Sequence, residues 1–437
     1  MTYKMKRQKP KNFKVILLKS IYDFSFYLIL PFLPLRLWFK SRKNKLYARR
    51  MKERFGRFSF PKLESSIWVH AVSLGESVAA LPLIEGLLKR YPEIQIVVTN
   101  MTPTGAEQIK KSLGDKVLQL YVSYDYPRAV KRFLEQINPR ILIVMETELW
   151  PNMLYQCRER NISIVIANAR LSQHSFAGYK RIASIIGYLL NCATFVIAQN
   201  KTYGNRFIKL GLSRSRLLVM GNIKFDLKIP DSLSEQALEL RKKLGLNRPI
   251  WVAASTHPQE EEKILTAAAK INEAIPSALL ILIPRHPERF NEVEQLCKQK
   301  NFRITRYSSQ QSCSPDTNVM IGDVMGQMLL FYAIANVAFV GGSLVPNGGH
   351  NILEPAALEK PIITGMHLEN FAEIAQLFLD NDALITVNDE MALAQNVTEL
   401  LQDKNLRRQY GIAAREVMEK NQGATRKILN VIYKLVK

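Results

Sequence analysis

Short, fully apolar runs alternate with helical patterns along most of this chain, and this alternation restricts the possible folds more than any other feature. Strands that are apolar throughout, rather than at every second residue, are typical of parallel sheets with helices on both faces. The first series of predicted strands covers 67–72, 94–99, 117–121, 141–145, 162–167 and 195–198. The helices predicted between them cover 77–90, 104–113, 127–136, 153–160, 176–190 and 201–210. This series indicates a doubly wound α/β domain.

A second series of the same kind follows a polar passage of mixed charge at 227–248. Its strands are predicted at 250–254, 278–283, 318–321, 337–340 and 361–364. Ligands of open α/β sheets bind at the carboxyl ends of the strands, so two such sheets predict ligand crevices that face a shared cleft. We therefore expect Rossmann-like domains at 46–226 and 227–437, with the last helix able to pack back on the first of them.

Positive charge is concentrated at the amino terminus. Residues 1–57 hold 17 Lys and Arg against 2 Asp and Glu, so +15 of the formal charge of +23 lies there. The apolar stretch 15–39 within this segment is long enough to span a bilayer, although Lys19 and Asp23 interrupt it. Basic residues on both sides favour a hairpin or in-plane anchor at 1–45 on an anionic membrane surface. The alternative is a buried amphipathic helix of a soluble domain.

Disulfide, metal and cofactor sites are not expected. The four cysteines are far apart and form no CxxC motif, which indicates reduced thiols in a cytosolic compartment. The six histidines show no HxxxH or HExxH spacing, and the first half has no Asp-x-Asp pair at a strand end. A donor with a nucleoside monophosphate leaving group would need less charge compensation than a diphosphate, so helix N–H groups with one Lys and one Arg would hold it.

Two motifs in the first half place carboxylates where predicted strands end. In VSLGES, Glu76 lies at a helix start, where it would act as a general base or close a capping box with Ser73. In METELWPN, Glu146 and Glu148 end a buried strand, where charge is costly unless it is paired or used. A salt bridge to Arg170 is the structural alternative for this pair.

Two further motifs supply positive charge. In GNIKFD, Lys224 lies at the boundary between the halves, where it would reach a phosphate or remain a solvated side chain. In IPRHPERF, Arg285 follows a predicted strand and has the fork geometry to bind a phosphate or a base edge. His286 in the same motif is as well explained by a structural hydrogen bond as by a ligand contact.

The remaining two motifs are rich in glycine. GDVMGQM, at 322–328, is a turn that opens a helix and whose backbone would read a pyrimidine. GGSLVPNGGHNILEP follows the apolar run 337–340, and its glycines would let the backbone approach a ligand closely. A helix predicted to begin at Asn351 would offer N–H groups to an anion, and Glu354 would accept hydrogen bonds from a ribose diol.

These six motifs, in this order, resemble those of the 3-deoxy-D-manno-octulosonic acid (Kdo) transferases of lipopolysaccharide assembly. The likeness extends from about residue 46 to the last helix and includes the basic anchor. It implies a GT-B fold with two Rossmann-like domains, CMP-Kdo as donor and a tetraacyl lipid A precursor (lipid IVA) as acceptor. It also implies inverting transfer without a metal or cofactor, at the cytoplasmic face of the cell inner membrane.

The resemblance also implies roles for individual residues. Glu76 corresponds to the general base, and Glu146 and Lys224 correspond to stabilisers of the transition state. The implied contacts with CMP are Pro284, Arg285, Met325, Gly326, Gln327, Asn351, Ile352, Leu353 and Glu354. Many relatives carry an acid where this chain has Gln327, so a backbone contact is expected at that position rather than a side-chain role.

Two other hypotheses fit the same residues less closely. One is another GT-B glycosyltransferase or epimerase that uses a UDP-sugar. The other is a basic protein without catalytic activity that binds membrane surfaces or nucleic acid. The Kdo transferase hypothesis instead expects anionic lipid, and no nucleic acid, as a partner. The motifs do not encode the number of Kdo residues transferred, the oligomeric state, or whether the anchor spans the membrane.

Overall fold

The computed structural model describes residues 13–43, 50–309 and 313–436. The predicted anchor at 1–45 is therefore described only in part. Its basic residues Lys4, Lys6, Arg7, Lys9, Lys11 and Lys45 lie outside the described residues. The chain divides into two compact units. The first contains the chain up to Asp226 together with the segment from Gly423 onward, and the second runs from Leu227 to Gln422.

Seven strands form a parallel sheet among the described residues of the first unit. They are β1 (Ser66–His70), β2 (Gln95–Asn100), β3 (Leu118–Tyr121), β4 (Pro139–Met145), β5 (Ser163–Ala169), β6 (Phe195–Ala198) and β7 (Leu217–Val219). The order across the sheet is β3-β2-β1-β4-β5-β6-β7. The direction of winding therefore reverses between β1 and β4, which is where doubly wound sheets bind their ligands.

Helices cover this sheet because its strands are apolar on both faces. The helices are α1 (Phe13–Ile29), α2 (Leu33–Lys43), α3 (Met51–Arg54), α4 (Leu74–Arg90), α5 (Pro103–Leu113), α6 (Pro127–Ile137), α7 (Pro151–Glu159), α8 (Gln173–Lys180), α9 (Ala183–Leu190) and α10 (Lys201–Lys209). In β4, Leu142 and Val144 belong to one buried cluster, while Ile141 and Ile143 belong to another. The single helix predicted at 176–190 is wrong, because Ile182 leaves the helical conformation (φ −123°, ψ 34°) and separates α8 from α9.

The last helix, Ala424–Leu435, packs in the first unit. Asp226 accepts hydrogen bonds from the backbone N–H groups of Gly423 (2.5 Å) and Thr425 (2.6 Å), which are otherwise unpaired at a helix start. Ile428 and Ile432 are fully buried in the same cluster as the strands. The C-terminal segment of the predicted domain 227–437 therefore belongs to the first unit. The sequence had left room for this, because the last helix was expected to be able to pack back on the first domain.

The second unit contains another seven-stranded parallel sheet in its described residues. Its strands are β8 (Ile250–Thr256), β9 (Leu279–Pro284), β10 (Ile304–Arg306), β11 (Val319–Ile321), β12 (Val337–Val340), β13 (Ile362–Thr364) and β14 (Ile385–Thr386). Its helices are α11 (Leu233–Leu244), α12 (Glu260–Ala274), α13 (Phe290–Gln299), α14 (Met328–Ile334), α15 (Leu353–Ala357), α16 (Ala372–Leu379), α17 (Glu390–Gln402) and α18 (Lys404–Asn421). The strand order β10-β11-β9-β8-β12-β13-β14 reverses between β8 and β12.

The polar passage 227–248 contains α11, whose Leu233 and Leu244 are buried. One predicted feature of this unit needs correction. The helix expected from Asn351 begins only at Leu353 and is five residues long. The predicted fold class, α/β with two parallel sheets, is confirmed.

The apolar stretch at the amino terminus is helical. It is long and apolar enough, by length and composition, to cross a membrane: Val15–Phe39 has a mean hydropathy of 1.6 over its best window. A 3-10 turn at Leu30–Phe32, with Pro31 in it, joins α1 to α2.

Candidate functional site

Glu76 lies at the carboxyl edge of β1, in the first turn of α4. Ser73 caps this helix, since its hydroxyl oxygen accepts the Glu76 N–H at 3.3 Å. The Glu76 carboxylate in turn accepts hydrogen bonds from the Ser73 hydroxyl (2.9 Å) and the Val72 N–H (2.7 Å). The capping role considered from the sequence is therefore present in the structure. It does not preclude a proton-transfer role, because a carboxylate has four lone-pair sites.

The environment of Glu76 brings its ionisation close to neutral pH. Its side chain is buried, and this burial raises the pKa of the carboxyl to about 7. The hydrogen bond from Val72 opposes the rise in pKa, and the negative charges of Glu148 and Glu146 add to it. A carboxylate with such a pKa holds an abstracted proton well enough to act as a base near pH 7.

Glu146 follows β4, the strand next to β1 at the switch point. Its backbone is left-handed (φ 54°), a conformation that costs energy for a residue with a side chain and is found often at functional sites. Its carboxylate accepts a hydrogen bond from Arg170 Nε at 2.6 Å, so the salt bridge considered from the sequence exists. Glu148 instead accepts the Trp150 indole N–H at 2.7 Å.

Lys224 lies in a 3-10 turn, Ile223–Phe225, beyond β7. The side-chain oxygen of Asn222 accepts the Lys224 N–H at 3.0 Å and so fixes the turn. Burial lowers the pKa of the Lys224 ammonium, the negative charge of Glu146 opposes this, and Arg170 lowers it further. Glu76, Glu146 and Lys224 thus lie at one edge of the first sheet, where the charge of Glu146 acts on each of the other two.

In the second unit, four of the predicted nucleotide contacts line one pocket of ≈ 150 Å³. They are Pro284, Arg285, Met325 and Gly326. Pro284 and Arg285 come from the end of β9, and the two others come from the turn before α14. The pocket is smaller than the cavities that usually enclose whole ligands. Gln327 is the residue that precedes α14.

The segment Asn351 to Glu354 forms a short, mostly buried turn. The Asn351 side chain accepts the Leu353 N–H at 3.2 Å and donates to the Glu354 carboxylate at 3.1 Å. Burial raises the pKa of Glu354, and the bond from Asn351 opposes the rise. Ile352 and Leu353 are buried in the core, so contacts of these two with a ligand would involve their backbone.

The glycine-rich loop after β12 is anchored by a buried carboxylate. The N–H groups of Gly342 (2.7 Å), Ser343 (3.0 Å) and Leu344 (2.9 Å) all donate to the carboxylate of Glu260, which is fully buried in the first turn of α12. These three N–H groups are therefore already satisfied within the protein, and a close approach of the loop backbone to a ligand stays a prediction. A buried polar side chain needs such hydrogen bonds to offset its lost hydration.

Glu260 and His257 were not predicted as functional residues from the sequence. His257 follows β8 as His286 follows β9, and a histidine at the carboxyl end of neighbouring strands is the signal that would have found it. No group of three His, Cys, Asp or Glu side chains is placed to hold a metal ion within 13–43, 50–309 and 313–436.

Comparisons with known proteins place both units in families. Residues 49–227 match the model of the 3-deoxy-D-manno-octulosonic-acid transferase (kdotransferase) family, and residues 241–417 match that of glycosyl transferases group 1. The chain is 41% identical, over 396 residues, to the 3-deoxy-D-manno-octulosonic acid transferase of Haemophilus influenzae, covering 90% of this chain and 92% of that protein.

Solved structures show the same fold at low sequence identity. A glycosyltransferase from Rickettsia africae matches with a TM-score of 0.57 and 15% identity, covering 86% of this chain and all of that one (100%). The UDP-GlcNAc 2-epimerase of Neisseria meningitidis, bound to UDP-GlcNAc, matches with a TM-score of 0.59 and 12% identity, covering 85% and 100%. These likenesses identify the GT-B fold of two parallel α/β domains and nothing about the substrate.

Proposed function

The chain belongs to the 3-deoxy-D-manno-octulosonic acid (Kdo) transferase family of glycosyltransferases, and we propose that it moves Kdo from CMP-Kdo to a tetraacyl lipid A precursor. Membership of this family decides for an enzyme over a binding protein without activity. The observation that carries the finer proposal is the carboxylate of Glu76, whose burial at the switch point of the first sheet raises its pKa to about 7.

In the proposed reaction, Glu76 takes the proton from a hydroxyl of the acceptor. That oxygen then bonds to the anomeric carbon of Kdo from the side opposite the nucleotide, so the configuration inverts. The bond between this carbon and the phosphate oxygen breaks, and its electron pair remains on the oxygen. Glu146 would stabilise positive charge that develops on the sugar ring, and Lys224 would stabilise negative charge on the departing phosphate.

The donor would bind at the carboxyl edge of the second sheet. The pocket formed by Pro284, Arg285, Met325 and Gly326 suits the cytosine ring and an adjoining polar group. The backbone of Gln327 and the turn from Asn351 to Glu354 would contact the remainder of CMP. Side chains supply all of the charges in this scheme, which is why the proposal includes no metal.

The amino-terminal helices would attach the enzyme to the inner membrane at its cytoplasmic face. One side of α1 and α2 exposes a continuous set of large apolar side chains, a kind of patch that is uncommon on soluble monomers. They are Ile16, Leu17, Ile21, Phe24, Leu28, Ile29, Phe32, Leu35, Trp38 and Phe39. Basic residues near anionic lipid add about 1 kcal/mol each to such binding.

The opposite side of α1 is held on the first unit by polar contacts. Lys19 donates to Asp23 (2.6 Å) and to Asn152 (3.0 Å), and Asn152 donates back to Asp23 (2.7 Å). The Tyr22 hydroxyl donates to the buried carboxylate of Asp125 at 3.0 Å. The middle of α1 thus has charged partners on the protein, which favours a helix that lies along the membrane surface over one that crosses it.

The decisive experiment is mass analysis of the lipid product after incubation of the full-length enzyme with CMP-Kdo and lipid A precursor. The wild type should add Kdo, and Glu76→Gln should abolish transfer while CMP still binds. Glu85→Gln, an exposed position on the same helix, is the matched control and should retain activity. Near-wild-type transfer by Glu76→Gln would remove the base assignment. Inhibition by UDP but not by CMP would contradict the proposed donor.

A further inference from the structure

Three histidines lie together at the carboxyl edge of the second sheet. His257 follows β8, His286 follows β9, and His350 lies in the loop after β12. The imidazole planes of His257 and His350 differ by only 3°, their centroids are 5.1 Å apart, and their Nε2 atoms are 2.8 Å apart. The ring of His286 meets that of His257 edge-on, with centroids 5.7 Å apart. The His257–His350 pair therefore spans the switch point between β8 and β12.

The surrounding chain is built to hold this pair. The Glu260 carboxylate accepts the His257 N–H (3.2 Å) as well as N–H groups of the loop that carries His350. Gly342 has φ +68°, and a Cβ there would lie 2.9 Å from the His350 ring, so only glycine leaves room for it. The Arg285 N–H donates to the Thr256 carbonyl at 3.0 Å, which places Arg285 beside His257.

The short distance between the two Nε2 atoms fixes how many protons lie between the rings. One nitrogen must donate and the other must accept, because two facing N–H groups would repel. In a neutral pair, the Nδ1 of the accepting ring carries the second proton and the Nδ1 of the donating ring carries none. The pair can therefore take up one further proton without breaking its internal hydrogen bond.

Burial and nearby positive charge both disfavour protonation of the pair. Burial lowers the pKa of His350 to about 4 and also lowers that of His257. Arg285 and His286 lower both values further, and Arg289 adds to the effect on His257. The acidic groups nearby are already engaged: Glu260 with backbone N–H groups, Glu261 with Arg289 at 2.7 Å, and Glu288 at 3.9 Å from His286.

We propose that the His257–His350 pair, together with Arg285, binds the phosphate of the sugar-nucleotide donor and takes up one proton as the nucleoside monophosphate forms. The inference rests on the proposed function. When the bond from the anomeric carbon to the phosphate oxygen breaks, the electron pair stays on that oxygen. The phosphate then changes from a diester with one negative charge to a monoester with about two at pH 7. A proton from solvent on the imidazole pair compensates the added charge.

Calorimetry of nucleotide binding to the full-length enzyme tests this assignment. CMP and cytidine are titrated at pH 7.5 in two buffers with different heats of ionisation, so that proton uptake is measured directly. The wild type should take up about one proton with CMP and none with cytidine. The double variant His257→Gln/His350→Gln keeps hydrogen-bonding groups that do not ionise. It should lose the uptake and bind CMP about 10- to 100-fold more weakly, with cytidine affinity unchanged. His174→Gln, on exposed α8, is the control.

A second measurement needs no variant. Histidine 15N NMR of the wild type should show one imidazole of the pair converting to imidazolium when CMP is added. Equal proton uptake by the wild type and the double variant, or imidazole shifts that CMP leaves unchanged, would overturn the proposal. If UMP binds and CMP does not, the proposed donor is wrong, and the same comparison with UMP and uridine then decides the role of the pair. Binding of neither nucleotide overturns both.

Discussion

Glu76→Gln should stabilise the first unit at high pH while it removes activity. Burial is the first cause of the raised pKa, which lies at about 7 instead of 4.5. Folding with Glu76 ionised is therefore about 3 kcal/mol less favourable than folding with Glu76 protonated. Gln has no ionised form, and its carbonyl oxygen can still accept the Val72 N–H that Glu76 accepts at 2.7 Å. The difference between the two proteins should therefore come mainly from ionisation.

The sign of the effect follows from which state binds the proton more tightly. The pKa of Glu76 is higher in the folded chain than its ordinary 4.5, so the folded state holds the proton better. Below pH 4.5 both states are protonated, and the wild type and variant should be equally stable. The wild type loses about 3 kcal/mol relative to the variant as pH rises from 4.5 to 7, and the difference stays constant above that. Transfer activity of the wild type should rise over the upper part of the same range, as the base ionises.

Urea unfolding of the full-length protein labelled with fluorotryptophan measures this difference. Fluorine NMR signals of Trp68 and Trp150 report the first unit, and that of Trp251 reports the second. Glu85→Gln, on the exposed side of α4, should show no pH-dependent difference from the wild type. A Glu76→Gln variant that is no more stable than the wild type at pH 8.5, or whose added stability does not shrink towards pH 5, would refute a stability effect of Glu76 ionisation.

Three other variants test contacts that hold the rest of the molecule. Glu260→Gln should lower the free energy of unfolding of the second unit by about 3 kcal/mol or more, measured in urea, because the new amide NH₂ group would face two of the backbone N–H groups that the carboxylate now accepts. The control Glu262→Gln, at an exposed position, should change this free energy little. Asp226→Ala should lower the free energy of unfolding by about 1–2 kcal/mol and speed amide hydrogen exchange in the last helix, because two N–H groups at the start of that helix lose their acceptor. Unchanged exchange rates would contradict this. Phe24→Ser should weaken binding to anionic liposomes, measured by co-flotation, at least about tenfold, because the Phe24 side chain is 65% exposed on the apolar side of α1. Unchanged co-flotation would exclude this side of α1 as the membrane contact.

The central strands were predictable, as was the edge strand β3, but the other three edge strands were not. Runs such as 141–145 are apolar throughout because helices cover both faces of the sheet, and that pattern survives in the sequence alone. The strands β7, β10 and β14 have three, three and two residues, and each lies at or near an edge where one hydrogen-bonded neighbour suffices. In β10, the sequence Ile304–Arg306 is half-buried and includes a charged residue, so hydrophobicity gives no signal for it.

The candidate site was predictable where it depends on strand ends, and not where it depends on distant contacts. Glu146 could be named because charge at the end of a buried strand needs an explanation, and Lys224 because it lies at the boundary between the two halves. His257 was missed because its significance depends on His350, 93 residues away, and on a glycine that makes room between them. The helical pattern likewise could not show that Glu260 would reach a loop 82 residues further along the chain.

Glu76 and Glu260 occupy equivalent places, and their surroundings explain why only one is proposed to react. Each lies in the first turn of the helix that follows the strand at its sheet's switch point. Glu260 accepts four backbone N–H groups, so the lone pairs of its oxygens are committed to the loop and the helix start. Glu76 accepts one backbone N–H and one hydroxyl, and it lies near two other carboxylates. A buried carboxylate left with incomplete compensation binds a proton readily, and this is the property that a general base at neutral pH requires.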